Sequence, residues 1–412
     1  MTTIKAPQHA PMSQFPVHGN DLLIGGIPLT RLAQRIGSTP FYVYDRQVMT
    51  DRVTALRQQM PKDLKIHYAL KANPMPAVVQ HMASIVDGFD LASAKEMKVA
   101  LDTRMPAENI SIAGPGKRPE ELLQAIAANI TIHVESCNEL ETIGRLSEQS
   151  GIQAHVAIRI NPAFELKASG MKMGGGAKQF GIDEELLPDV LKRVKALNLD
   201  FKGFHIYSGS QNLKAESIID AQQKSIALAM QLTEHCPSPI KKLNIGGGYG
   251  IPYFPGETPL DTQQVGDALA ETMAKFKVSN PEAEVIIELG RYLVGEAGLY
   301  VCKVIDKKIS RGQIFLVADG GLHHHLAASG NFGQVIRKNY PVAIGNKMNV
   351  DTKETVNIVG PLCTPLDLLA DRMELPTAEI GDFAVVYQSG AYGFTASPTA
   401  FLSQPEAVEV LV

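Results

Sequence analysis

Between residues 65 and 289 the chain repeats one pattern: a short apolar run, a stretch of helical periodicity, then another apolar run. The runs fall at 65–70, 88–92, 109–113, 130–134, 153–160, 200–207, 242–246 and 284–289. Helical stretches such as Met75–Ser84, Ala94–Leu101 and Ala215–His235 separate most of them. Strands joined through helices run parallel, because the crossover brings the chain back to the same end of the sheet. An open doubly wound sheet would satisfy the alternation, but only a closed (β/α)8 TIM barrel explains why there are eight units. The expected fold is therefore α/β. Past about Ala297 the texture changes. Leu299–Ile305, Ile314–Ala318, Val342–Ile344, Thr355–Val359, Phe383–Tyr387 and Val408–Val412 read as strands without long helices between them, a mostly antiparallel β domain. The expected division is a flexible arm at 1–17, an N-terminal segment at 18–40 that joins the β domain, the barrel at 41–297 and the β domain at 298–412.

Composition narrows the partners. With 412 residues, 45% hydrophobic and 20% charged, the chain reads as soluble and globular. A net charge of -4 gives no general attraction to nucleic acid or an anionic membrane. No apolar run approaches the roughly 18 residues of a membrane span. The start of the chain lacks the pattern of a secretory signal, so a cytoplasmic location is expected. Cys137, Cys236, Cys302 and Cys363 show no Cys-x-x-Cys spacing and read as reduced thiols, with no metal site.

Active sites of such barrels lie at the carboxyl ends of the strands. Lys71 closes Lys65-Ile-His-Tyr-Ala-Leu-Lys-Ala-Asn73. It is either a solvated strand end or a desolvated amine, neutral part of the time, as a Schiff-base lysine must be. Asp90 and Ser93 end the second strand, Arg159 the fifth, and His205 and Tyr207 the sixth. Gly246, Gly247 and Gly248 end the seventh, and Glu288-Leu-Gly-Arg291 the eighth. Three glycines before a helix are either a turn or a row of bare amides for a phosphate. Glu288 is either an ion-pair partner of Arg291 or a carboxylate that keeps a proton on a pyridine nitrogen. No nucleoside-triphosphate or dinucleotide signature is present. A phosphate site, a Schiff-base lysine and a carboxylate for a ring nitrogen together specify pyridoxal 5'-phosphate.

Tyr68-Ala-Leu-Lys-Ala-Asn73, the glycine run, Glu288-Leu-Gly-Arg291, Gly360-Pro-Leu-Cys-Thr-Pro-Leu-Asp367 and Gly390-Ala-Tyr-Gly393 resemble one family from about residue 20 to the C-terminus. That family is the fold-type III pyridoxal-phosphate decarboxylases, which include diaminopimelate and ornithine decarboxylases and share their barrel with alanine racemase. The resemblance implies that Lys71 carries the cofactor and Glu288 pairs with its ring nitrogen. It places Ser210, Gly246–Gly248, Gly290, Arg291 and Tyr392 around the phosphate, with Asp90, Glu96 and Arg159 supporting the pocket. It further implies a homodimer in which Cys363 and Asp367 reach into the partner's barrel. Cys363 would be the proton donor, a buried structural thiol being the plain alternative.

Departures from the family pattern concern the substrate. Tyr207 stands where the family usually has histidine, leaving His205 as a substitute or as a core histidine. Thr364 follows Cys363 where diaminopimelate decarboxylases usually carry glutamate to bind the distal ammonium. Their Arg-Pro-x-Leu-Tyr segment becomes Arg337-Lys-Asn-Tyr340. A desolvated ammonium without its partner loses selectivity, which disfavours diaminopimelate. Lys172-Met-Gly-Gly, Gln179-Phe-Gly-Ile-Asp183, His205–Asn212, Asp319–His325 and Leu362–Pro365 resemble the butirosin-pathway branch, which acts on glutamate tethered to an acyl carrier protein. The expected activity is α-decarboxylation of an amino acid with a modified or tethered side chain, with an acyl carrier protein as a possible partner. Diaminopimelate decarboxylation, amino-acid racemisation and a non-catalytic cofactor carrier are the alternatives. His323-His-His325 cannot face one ion from a strand, because successive side chains alternate faces, and reads as a turn. Gly174–Phe180 reads as a loop over the barrel mouth or a plain connection.

Overall fold

The computed structural model describes residues 7–164, 171–172 and 174–412. It divides into two compact units, Arg52–Ile251 with Leu260–Tyr292, and the described residues up to Asp51 with Pro252–Pro259 and Leu293–Val412.

In the first unit the barrel strands are Lys65–Ala69, Gly88–Leu91, Ile110–Ile112, Thr131–Val134, His155–Asn161, Asp200–Ile206, Lys242–Gly247 and Glu284–Leu289. Each pairs in parallel with the next. The eighth returns to the first through Leu289↔Tyr68, and the ring closes. All eight expected runs are strands of one closed barrel. Buried on both faces, they read as continuous apolar stretches. Two of the strand-to-helix turns are locked by one device. Ser93 caps helix Ala94–Leu101 by accepting from the Glu96 amide at 3.2 Å, and Glu96 Oε2 accepts the Ala92 amide at 2.7 Å. Ser136 and Glu139 repeat the arrangement ahead of helix Cys137–Ser150, at 3.1 Å and 2.7 Å. Such reciprocal caps satisfy helix-start amides and fix the direction in which the strand end leaves the sheet.

In the second unit Gly298–Ser310 is the central strand, antiparallel to Phe383–Val386, Phe41–Tyr44 and Gln313–Ala318. Gln313–Ala318 runs parallel to Lys353–Val359, which pairs antiparallel with Leu368–Pro376. Two differences from the sequence reading have physical causes. Phe41–Tyr44, assigned to the barrel segment 41–297, lies between Gly298–Val301 and Val408–Leu411 in the β unit. A strand buried on both faces has the same apolar signature in either setting. Residues 7–17 are not a loose arm: Phe15 is buried with Leu22, Leu29, Leu32 and Phe41, and Gln8 accepts the Gly256 amide at 2.8 Å. Burying each such leucine or phenylalanine contributes roughly 1.5–3 kcal/mol. No helix among the described residues is long and apolar enough to cross a membrane.

Candidate active site

Lys71 sits in the single 3-10 turn Leu70–Ala72 that leaves the first barrel strand. Its Nζ lies 2.7 Å from Glu288 Oε1, on the eighth strand. The lysine side chain is 38% exposed and that of Glu288 3%, so a reachable amine faces a dry carboxylate. Burial alone would raise the Glu288 carboxyl, yet the Lys71 ammonium and His205 hold it well below the usual carboxylate range. His205 Nε2 is 3.1 Å from Glu288 Oε2, on the sixth strand. The Tyr207 ring lies below the amine, 5.4 Å from Lys71 Nζ.

The glycines make room. Gly246 and Gly248 have φ of +70° and +79°, in the left-handed region. A Cβ on Gly247 would come within 2.1 Å of the Glu288 carbonyl oxygen, and one on Gly290 within 2.8 Å of Ala72 Cβ. The seventh and eighth strand ends and the Lys71 turn therefore approach as closely as backbones allow. Contrary to the sequence reading of three glycines before a helix, the run does not lead straight into one. The next long helix, Thr262–Ser279, begins with its own cap at Asp261, and the short helix Arg291–Val294 follows Gly290. Ser210 belongs to the short strand Gly209–Ser210, just beyond the sixth barrel strand.

Asp90 and Arg159 are buried in the barrel wall. Asp90 accepts from the Ser111 hydroxyl and lies 3.4 Å from His67 Nδ1. Arg159 Nη1 donates to Glu135 Oε1 at 2.7 Å, and its guanidinium lies 4.9 Å from the Phe180 ring centre. Glu135 also accepts the Gly114 and Gly181 amides, at 2.5 Å and 3.2 Å. Although burial raises it, Arg159 and Lys117 lower the Glu135 carboxyl below its ordinary range. Glu135, His67 and His133 were missed in the sequence. Glu135 follows Thr131-Ile-His-Val134 directly, so the strand-end rule that found Arg159 would have found it. The Gly174–Phe180 loop is pinned to the fifth strand, where Asn161 accepts the Gly175 amide at 3.1 Å. Met173 of the Lys172-Met-Gly-Gly string lies outside the described residues.

The remaining expected site residues lie in the β unit. Cys363 is exposed, and Thr364 Oγ1 accepts the Leu366 amide at 3.3 Å. Asp367, expected to reach outward, is instead 3% exposed and accepts the Leu322 and Leu362 amides at 2.6 Å and 2.9 Å. Burial raises its carboxyl. Arg337, expected at the substrate, donates to the carbonyls of Ser329 and Leu368, the latter at 2.6 Å. Tyr340 is buried against Tyr253, ring centres 4.6 Å apart. Tyr392 has a φ of 53°, an uncommon conformation for a side chain of its size.

The barrel residues fit pyridoxal phosphate. Lys71 would provide the amine, and its ammonium at Glu288 Oε1 stands in for the protonated ring nitrogen that the carboxylate would meet. Tyr207 offers a flat surface, and the bare glycine amides a phosphate cradle.

Comparison with known proteins bears on the same segment. Residues 46–295 match the model of the pyridoxal-dependent decarboxylase family, pyridoxal-binding domain. Over 93% of this chain and 90% of the other, the sequence is 37% identical to the L-glutamyl-[BtrI acyl-carrier protein] decarboxylase of Niallia circulans. It is 33% identical to the diaminopimelate decarboxylase of Aquifex aeolicus, covering 95% of this chain and 90% of that one. A crystal structure of the diaminopimelate decarboxylase of M. jannaschii superposes with a TM-score of 0.87 at 26% identity, covering 97% and 92% of the two chains.

Proposed function

This chain belongs to the pyridoxal-dependent decarboxylases and acts on an amino acid with pyridoxal phosphate as cofactor, and from that premise we propose that its substrate ends in a covalent link to a carrier protein and not in a free ammonium. One observation carries the proposal. In the turn Leu362–Leu368 the single acidic side chain is Asp367, and both its oxygens are already held by backbone amides at 2.6 Å and 2.9 Å. Thr364 brings no charge. A distal ammonium would be desolvated there without an anion, which costs roughly 1–3 kcal/mol or more. Arg337, tied to two carbonyls, is likewise a poor grip for a distal carboxylate. The resemblance to an enzyme acting on carrier-bound glutamate supports the same reading.

When bound, pyridoxal phosphate supplies the electron sink for the electron pair left on the α-carbon as carbon dioxide departs. The chain's own residues do the rest. Lys71 holds and releases the reacting end, and ionised Glu288 keeps a proton at the ring nitrogen. Tyr207 would support one face of the ring, while Gly246–Gly248, Ser210 and Arg291 would hold the phosphate. Asp90, through His67 and Ser111, and Arg159, through Glu135, keep the wall in place. Cys363, on an exposed turn of the β unit, returns a proton to the α-carbon in the barrel of a second copy. A homodimer follows from that assignment. Exposed Phe332, Val335, Ile336 and Leu366 give the β unit an apolar surface suited to it. A cytoplasmic setting suits four free thiols.

Purified protein loaded with cofactor, offered glutamyl-carrier protein, free glutamate and diaminopimelate, should release carbon dioxide fastest from the carrier-bound substrate. Robust turnover of free diaminopimelate would reject the proposal. Carbon dioxide release also separates decarboxylation from racemisation.

A further inference from the structure

The barrel interior behind Glu288 holds groups that the chemistry above leaves unused. His205 and His133 are 2% and 4% exposed, and their ring centres lie 4.3 Å apart with the planes tilted by 36°. Glu288, His205 and His133 come from the eighth, sixth and fourth strands. In a closed eight-strand barrel, inward side chains from alternate strands share one layer of the lumen. The three therefore form a row across the barrel, with Lys71 at one end and a small cavity lined by His133, His67, Thr131 and Lys242 at the other. Glu288 Oε2 can only accept, so the His205 nitrogen 3.1 Å away carries the proton. The two are close without ideal hydrogen-bond alignment. Burial first, and the neighbouring His205 second, hold His133 well below the usual imidazole range, so a neutral ring braces His205.

We propose that His205, braced by the His133 ring, is a positioning residue that engages the second oxygen of Glu288 and so keeps the first oxygen turned toward the cofactor's ring nitrogen. The proposal rests on the cofactor reading of the site. Groups facing His205 are Glu288 and Lys71, the His133 and Tyr207 rings, and the more distant charges of Arg159 and Lys117 that reach His133. Removing His205 takes away one of the two influences that lower Glu288, so the carboxylate takes up its proton at a higher pH. A protonated Glu288 no longer holds the ring proton.

The test compares His205→Phe, which keeps the ring volume, with His205→Gln, which keeps a donor. Pyridoxal phosphate affinity is measured by absorption titration of the apoprotein, and the bound cofactor's visible band is titrated with pH. His205→Phe should bind about tenfold more weakly, its band should titrate at higher pH, and kcat should fall more than KM rises. His205→Gln should recover most of the affinity and the native titration. The proposal is overturned if Phe and Gln variants both match the native protein, or if both are impaired alike, since the ring would then serve packing alone. His133→Leu separates bracing from burial: it should weaken cofactor binding severalfold without moving the titration as far as His205→Phe, and native behaviour would remove the brace from the proposal. Native protein that fails to bind the cofactor at all sinks the site reading instead.

Discussion

Tyr207 shows what one side chain can and cannot contribute to this site. Its ring lies 5.4 Å from Lys71 Nζ, where the proposal puts the reacting end of the cofactor. A phenol offers a flat face but, near neutral pH, no imidazole-like exchange of protons. The proposed role of the ring is stacking. Tyr207→Phe should leave pyridoxal phosphate affinity within about twofold, and Tyr207→Ala should weaken it by about 2- to 13-fold, the equivalent of roughly 0.5–1.5 kcal/mol for an aromatic pair. Equal binding by the alanine variant, in an absorption titration, would take the ring out of the site. The strand-end placement of Lys71, Arg159 and Glu288 was legible in sequence because strand ends are local features. Their partners were not, since Arg159 meets Glu135 across 24 positions, a pairing that only the closed sheet creates. Asp367 misled for a related reason. Gly321 and Gly360 leave it a pocket, where a Cβ on either would come within 2.1 Å or 2.2 Å of its oxygens. No local pattern announces a carboxylate that folds inward.

At the level of elements, the turn carrying His323–His325 is held by its ring nitrogens. His324 Nε2 faces the Pro405 carbonyl at 2.8 Å, so it donates, and Nδ1 is left to accept from the Tyr300 hydroxyl at 3.1 Å. His325 Nδ1 accepts the Ala328 amide at 3.2 Å, which puts the proton on Nε2, 2.9 Å from Ser389 Oγ. A second proton on His325 would face the Ala328 amide, which can only donate. Burial accordingly pushes His324 down to about 4 and His325 down to about 3, from an ordinary value of 6.5. With folded values below the unfolded one, the unfolded chain binds more protons between about pH 3 and 6.5, so stability falls as pH drops through that window. Acidification from pH 7 to 5 should cost roughly 2 kcal/mol for each histidine. Urea unfolding of His325→Leu at both pH values should show a loss between pH 7 and 5 that is smaller than the native protein's by roughly 2 kcal/mol, and an unchanged loss would refute the assignment. Elements were legible where their pattern was unambiguous, as in the eight barrel strands. Leu368–Pro376 went unseen because Asp371 and Arg372 interrupt its alternation, Arg372 at a φ of 47°.

For the whole molecule, Lys71 and Cys363 belong to different compact units, and the proposed chemistry assigns them to one site built from two copies. The β unit offers a surface for that assembly. Val335 is fully exposed and Ile336 is 77% exposed, and Asn331 Nδ2 donates to the Leu366 carbonyl at 3.1 Å, joining this loop to the Cys363 turn. Adjacent large apolar side chains facing water mark a surface that is normally covered. In the proposed two-fold dimer each site would take its lysine from one chain and its thiol from the other. Lys71→Ala and Cys363→Ala homodimers would each be inactive, yet a mixed dimer regains one intact site, with the lysine of the second variant and the thiol of the first. Random exchange of equal amounts makes half the dimers mixed, so about one quarter of the sites should work. Carbon dioxide release should rise toward that fraction after co-refolding, while Ile336→Asp should yield monomers that still show the cofactor's visible band but do not turn over. Persistent inactivity of a mixture shown by mass spectrometry to contain mixed dimers would overturn the sharing of one site by two chains, whereas an active Cys363→Ala homodimer would exclude Cys363 from the chemistry.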